Sequence, residues 1–321
     1  MKKPTGYFVI SLDFELLYGL SDQPNQRKQR ERVVGGRLAA EKILKLFSQH
    51  NIHATWAMVG MLMARNKEEL QHFLPTQHPA YDVFNHDLST VGENETDDPL
   101  HYACNLMQKI CDTPNQEIGS HTFSHYFCLA EGQDAADFEH DLLAAIAIAD
   151  EHGLKINSFV FPKNQTNYKY LSILSKYGIK NYRGNESSWI YSEKVKKESM
   201  VRRAIRLLDS YINLSGMNCY NIDSLECKNG LVNIPSSRFL RPYMIKLKWF
   251  EKAKIRRIMK QMKHAAKHGK IFHLWWHPHN FGENTKENME NLNKLVLYYE
   301  KLNKKYRFQS ATMGEVGEMA I

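Results

Sequence analysis

Seven short apolar runs, separated by longer amphipathic stretches, constrain this chain more than any other feature. The runs are 7–12, 54–59, 117–120, 158–161, 179–182, 231–234 and 271–276. Helical spacing predicts helices over 33–50, about 100–111, 134–152, 168–177, 244–268 and 286–302. In the third of these, Leu142, Leu143, Ile146 and Ala149 recur on one face and Gly153 stops the pattern. Strands joined by helical crossovers make βα units, so the expected fold class is α/β, with a parallel sheet or barrel. Two stretches break the rhythm, about 75–99 and 184–223, and are read as irregular insertions that could act as lids or binding loops. With no repeat and no linker, the expectation is a single domain over 1–321.

Composition narrows the class of partners. With 43% hydrophobic and 24% charged residues, the chain can bury a core and is not disordered. No run approaches the roughly 18 apolar residues of a spanning helix. The basic start at Met1, Lys2 and Lys3 leads into an apolar run that ends at Asp13, too short for a signal peptide. The five cysteines form no CxxC pair and fit free thiols in a reducing compartment. A cytoplasmic protein is expected on both grounds. The net charge of +8 suits an anionic partner. No nucleic-acid motif accompanies it, so no nucleic acid is expected. The basic segment 244–263 instead suggests peripheral contact with a membrane at its inner face. There Ile245, Trp249, Ile255, Ile258, Met259 and Met262 fall near one side of the helix, and Arg202, Arg203 and Arg206 could add to its charge.

Three places carry candidate chemistry. His121 and His125 are four apart, so on a helical turn both imidazoles would reach one ion. Asp13 and Glu15 follow the first apolar run and, by strand alternation, point the same way, which two carboxylates do only with a cation or shared proton between them. The last run ends in His273, Trp275, Trp276, His277, Pro278 and His279. A histidine at such a strand end can act as a general acid, and the tryptophans can stack on a sugar ring. One carboxylate with two histidines and an open position is the donor set of a catalytic rather than a structural zinc-type site.

The order of these motifs, with Ala54-Thr55-Trp56, Gly119 to His125 and Phe161-Pro162 between them, resembles the polysaccharide deacetylases of the NodB-homology type, carbohydrate esterase family 4. The resemblance spans about 7–279 and implies a distorted (β/α) barrel of about seven strands. It implies a divalent metal, zinc with cobalt or nickel as alternatives, held by Glu15, His121 and His125. It implies Asp13 as the base and His277 as the acid that protonates the leaving amine. The reversed assignment of Asp13 and Glu15 stays open, as does His279 in place of His277. Lys163, Trp275, Trp276 and His279 are the implied substrate contacts. The family's arginine near its third-motif proline is absent here, where Lys163 follows Pro162, and a lysine cannot make the bidentate contact of a guanidinium. The implied activity is removal of an N-acyl group, acetyl first, from an amino sugar of a surface glycan or its precursor. Hydrolysis of a formamide or cyclic imide on the same scaffold, and an inactive carbohydrate-binding relative, are the alternatives.

Overall fold

The computed structural model describes residues 4–23, 26–81, 87–191 and 199–321. The basic residues 1–3, and the parts of the two insertions at 82–86 and 192–198, lie outside them. Ten strands form one sheet: β1 (Gly6–Phe14), β2 (Ala54–Met58), β3 (Gln116–Ser120), β4 (Ser158–Val160), β5 (Asn181–Arg183), β6 (Cys227–Lys228), β7 (Leu231–Asn233), β8 (Arg238–Phe239), β9 (Ile271–Trp276) and β10 (Phe308–Ala311). Their order is β6-β7-β5-β4-β3-β2-β1-β9-β8, with β10 beside the start of β1. Every pairing is parallel except that of β6 with β7.

A short strap of chain brings the two edges of this sheet together. β7 pairs with β5, and β8, five residues later, pairs with β9. Between them Ser236 N–H donates to Gly184 O and Ser237 N–H to His273 O, both at 2.8 Å. Counting β7 and β8 as one bent strand, and leaving aside the two-residue β6 and the β10 that pairs beside the start of β1, the curled barrel has seven strands, in the NodB-like arrangement that the motif resemblance implied.

Alternation sorts the strand residues into two cores. Val9, Ala57, Val160, Val232, Ile271 and Ala311 come from six strands yet form one cluster, capped by Met313 and Val316 of the C-terminal helix Met313–Met319. Only the enclosed side of the barrel can bring them together. Phe8, Ile10, Leu12, Trp56, Phe272, Leu274 and Trp276 point outward and pack beneath the helices. Helix Gln26–Gln49 lies close over the turn that follows β9. A Cβ on Gly36 would stand 2.5 Å from the Cα of His279, so glycine is what permits that approach.

Two expectations change here. The 184–223 stretch is not wholly irregular, because it holds the helix Met200–Asp209. The predicted helix over 244–268 is also divided: a 3-10 turn, Ile245–Phe250, precedes the α-helix Glu251–His268, with a break at Leu247. Ile255, Ile258 and Met262 are core residues, whereas Ile245 and Trp249 are exposed.

Candidate active site

The site gathers at the C-terminal ends of the barrel strands, where open α/β folds place their ligands. Asp13, the last inward residue of β1, is buried and meets a partner that sequence reasoning missed. Arg183, ending β5, donates from one nitrogen to Asp13 Oδ1 at 2.6 Å and from the other to Oδ2 at 2.8 Å. Burial raises the pKa of Asp13, but Arg183 together with His277 and His121 outweighs it and holds the carboxyl below its ordinary value.

Arg183 is itself fixed on several sides. It donates to Asn164 Oδ1 at 2.7 Å and to Ser11 Oγ at 2.9 Å, and it lies 4.3 Å from the ring of Trp275. The Ser11 hydroxyl, already an acceptor, donates to His273 Nε2 at 2.8 Å, leaving His273 Nδ1–H to face Ile234 O at 3.3 Å. Burial, then the nearby guanidinium, pushes the pKa of His273 down to about 3. A neutral imidazole therefore orients the serine, which orients the arginine, which aims the aspartate.

Glu15 stands just beyond β1. Its Oε2 lies 3.3 Å from His121 Nε2 and 3.0 Å from His125 Nε2. One donor atom from each of the three buried residues fits within a 4.8 Å spread. A Cβ on Gly19 would stand 2.0 Å from the Glu15 carboxyl carbon, so this side chain occupies the space a larger residue would take.

His121 and His125 do converge, but not on a helical turn. Residues 121–127 are neither helix nor strand, and Thr122 and His125 have left-handed φ values of 65° and 60°. Buried Asp141 fixes this loop. It accepts from Phe123 N–H at 2.7 Å, from Ser124 N–H at 3.1 Å and from the Ser124 hydroxyl. Those bonds displace the helical ladder that the spacing predicted.

The donor atoms suit a divalent cation. His121 Nδ1–H donates to Val160 O at 2.9 Å, which leaves Nε2 unprotonated and facing Glu15. Both ring nitrogens of His125 are buried and make no hydrogen bond, although one lies close to Glu15. Buried polar atoms without partners are costly, and an ion in the cluster would satisfy one of them.

His277 joins the two acids: its Nε2 is 3.6 Å from Asp13 Oδ2 and 3.6 Å from Glu15 Oε1. His279 stacks on it with centroids 5.0 Å apart, and its buried Nδ1 lies 3.9 Å from Glu15 Oε1. Burial, then repulsion by His277, keeps its pKa well below the usual histidine range. His279 leaves the strand line because Pro278 starts a 3-10 turn, Pro278–Phe281. Above these groups opens a cleft of about 460 Å³, lined by Glu15, Arg32, His125, Lys163, Asn164, Phe239, His277 and His279 among others.

Two expectations need correction, and one open question finds its answer. Trp276 cannot touch substrate: it is on the outward face of β9, fully buried against Phe47 and Phe281. Trp275 points inward but does not line the cleft, since its ring packs against Arg183, Phe239 and His277. Lys163 lines the cleft without taking the arginine's place. Its ammonium pairs with Asp22 at 2.6 Å and sits 3.6 Å from the Phe127 ring centroid. The guanidinium comes from β5 instead. Arg183 carried no local signal in the sequence, since its partner Asp13 lies 170 residues away. Arg32 and Phe239 carried none.

The family model described as "Polysaccharide deacetylase" matches residues 34–182. No curated protein matches the chain. Among solved structures, a provisionally named polysaccharide deacetylase from Mycobacterium smegmatis superposes with a TM-score of 0.61 at 13% identity, covering 100% of this chain and 93% of that one. Another, from Pseudomonas aeruginosa PAO1, gives 0.57 at 11%, covering 97% and 89%. A structure named PuuE allantoinase gives 0.55 at 12%, covering 97% and 88%. At such identities the structural likeness is one of fold. Together with the family match it bears out the resemblance read from the motifs.

Proposed function

We propose, from the premise that this chain is a hydrolase of the polysaccharide deacetylase kind, that it is a metal-dependent enzyme removing an N-acyl group from an amino sugar of a surface glycan or its precursor. The observation that carries this reading is one cleft shared by two sets of groups. Glu15, His121 and His125 form a buried donor set that suits a metal, and Asp13 with His277, 3.6 Å apart, stand beside it where they would transfer protons.

Glu15, His121 and His125 would hold the metal, zinc by donor preference, with cobalt or nickel as alternatives. Bound there, it supplies Lewis acidity, polarising an acyl carbonyl and making a water more acidic. Asp13 remains ionised through Arg183, and each of its oxygens keeps a lone pair beyond the guanidinium bonds. It takes a proton from the attacking water as the new C–O bond forms. His277 gives a proton to the nitrogen as the C–N bond breaks, so that an amine and a carboxylic acid leave. Arg183 neither gives nor takes a proton. It fixes where Asp13 points. Lys163 and His279, in the cleft wall, are placed to contact substrate.

The test joins composition to activity. The purified protein should carry close to one divalent metal per chain by elemental analysis, and His125→Ala should lose it. With metal restored, the wild type should release acetate or formate from N-acetyl or N-formyl amino sugars. Unchanged metal content in His125→Ala would sink the ligand assignment. A metal-loaded protein releasing neither acid from any amino sugar tried would sink the activity.

A further inference from the structure

A surface helix of a soluble domain normally turns its apolar side to the core. Helix Met200–Asp209 does the reverse. Val201 and Leu208, one above the other on its outer side, are 68% and 52% exposed, and Met200 at its start is exposed too. Its inward side is polar. Asp209 is buried, where it accepts from the Tyr191 hydroxyl at 2.8 Å and pairs with Arg238, while Arg202 Nε–H donates to Ile190 O at 2.8 Å. The apolar strip continues past the helix through exposed Ile212 and Leu214.

A second apolar element adjoins it. The Tyr211 ring lies 5.8 Å from that of Phe250, in the turn Ile245–Phe250, where Ile245, Phe250 and Trp249 are all exposed, the last at 81%. Among the described residues of 199–218 and 244–270, the exposed charge has one sign. Lys246, Lys248 and Lys252 are exposed within the turn and just after it, and Arg256, Lys260, Lys263 and Lys267 follow along the exposed side of the next helix. The acids of 199–218 and 244–270 are Asp209 and Glu251, and both are buried in pairs with cations. The face also adjoins the cleft. Arg241 lies 5.8 Å from the ring of cleft-lining Phe239 and donates to Ser210 Oγ at 3.1 Å.

We propose that this face, the outer side of helix Met200–Asp209 together with Ile245, Trp249 and Phe250, seats on an anionic lipid bilayer and holds the protein peripherally on it. Aliphatic side chains and a tryptophan ringed by lysine, with no exposed carboxylate among the described residues of 199–218 and 244–270, match the acyl and headgroup layers of such a surface. No helix among the described residues is long and apolar enough to cross a membrane. The docking stands apart from the chemistry in the cleft.

Vesicle sedimentation tests it with the full chain. The wild type should pellet with phosphatidylglycerol-containing vesicles in low salt, pellet little with phosphatidylcholine alone, and release substantially in high salt. The double variant Val201→Glu with Leu208→Glu, and separately Trp249→Glu, should each cut the bound fraction roughly tenfold. Their thermal unfolding should stay near wild type, because all three positions face solvent. Vesicles should shift the tryptophan emission of the wild type to the blue. Trp249→Phe should abolish most of that shift while still pelleting. Failure of the wild type to pellet, or variants that pellet like the wild type, would overturn the proposal. So would a wild-type dimer that these same substitutions dissociate, which would assign the face to a second copy of the chain.

Discussion

Both ends of the barrel enclose carboxylates, and the two ends treat them in opposite ways. At the C-terminal end, Asp13 meets a guanidinium and Glu15 meets imidazoles. At the other end, Glu117 meets only neutral donors: the Thr55 hydroxyl at 2.7 Å, the Ser158 hydroxyl at 2.5 Å and the Gly314 N–H at 3.0 Å. Burial raises all three acids. Charged neighbours reverse this for Asp13 and Glu15, whereas the neutral donors around Glu117 leave its pKa raised. An enclosed acid tied to hydroxyls and a helix start closes the barrel floor. An acid tied to ionisable groups beneath an open cleft is equipped to move protons.

The comparison breaks most readily at Asp13. Asp13→Asn should lower turnover by about 10³-fold while metal content and fold persist, because a removed general base commonly costs 10²–10⁴. Glu117→Gln should leave turnover within about threefold, because it touches no reacting group. Equal losses from the two would erase the distinction between the ends.

Arg183→Met should come next. It strands a buried carboxylate, at a cost of about 3–5 kcal/mol in stability by chemical denaturation, and lowers turnover by about 10²-fold. Arg183→Lys should recover more stability than turnover, since one ammonium cannot make the two parallel bonds. Full recovery of turnover by lysine would show that charge, not aim, is what Asp13 needs.

The smallest effect lies in pH dependence. An acid whose folded pKa is raised favours folding while protonated. That contribution is present below the unfolded pKa and is lost as pH rises through the folded one. Glutamine has no such proton to lose. The melting temperature of Glu117→Gln, relative to wild type, should therefore climb as pH goes from about 4 to 8. Asp13 has the opposite sign, its stabilisation being lost on acidification. A flat difference for Glu117→Gln would mean that the floor acid is not raised.

Much of this site was legible in the sequence because its residues end apolar runs. Asp13 near the end of its strand, and Glu15, His121 and His277 just past theirs, take their direction from strand alternation or termination, and with His125 all five meet. Trp276 went wrong by one position: next to an inward residue it points outward, where Phe47 and Phe281 already wait. The helical turn expected at His121 failed because Asp141, on a different element, supplies the acceptors that bend the loop. Arg183 was missed because its partner Asp13 is 170 residues away, and no local pattern announces such a pair. In the fold, β6, β8 and β10 escaped notice because none of them is an apolar run: Cys227–Lys228, Arg238–Phe239 and Phe308–Ala311 each carry polar side chains. Helix Met200–Asp209 was overlooked because its apolar side faces away from any core.

The strap between β7 and β8 has a consequence for how such a molecule could diversify. It ties β5, which carries Arg183, to β9, which leads to His277, through two backbone bonds instead of a continuous ladder. The gap between Arg183 and His277 is thus gauged by four residues, 234–237, none of which takes part in the chemistry, whereas Asp13 is held to β9 directly by the pairing of β1 with β9. Lengthening that piece would widen the mouth for a bulkier sugar while every reacting side chain kept its own anchorage, so selectivity can drift here independently of catalytic competence.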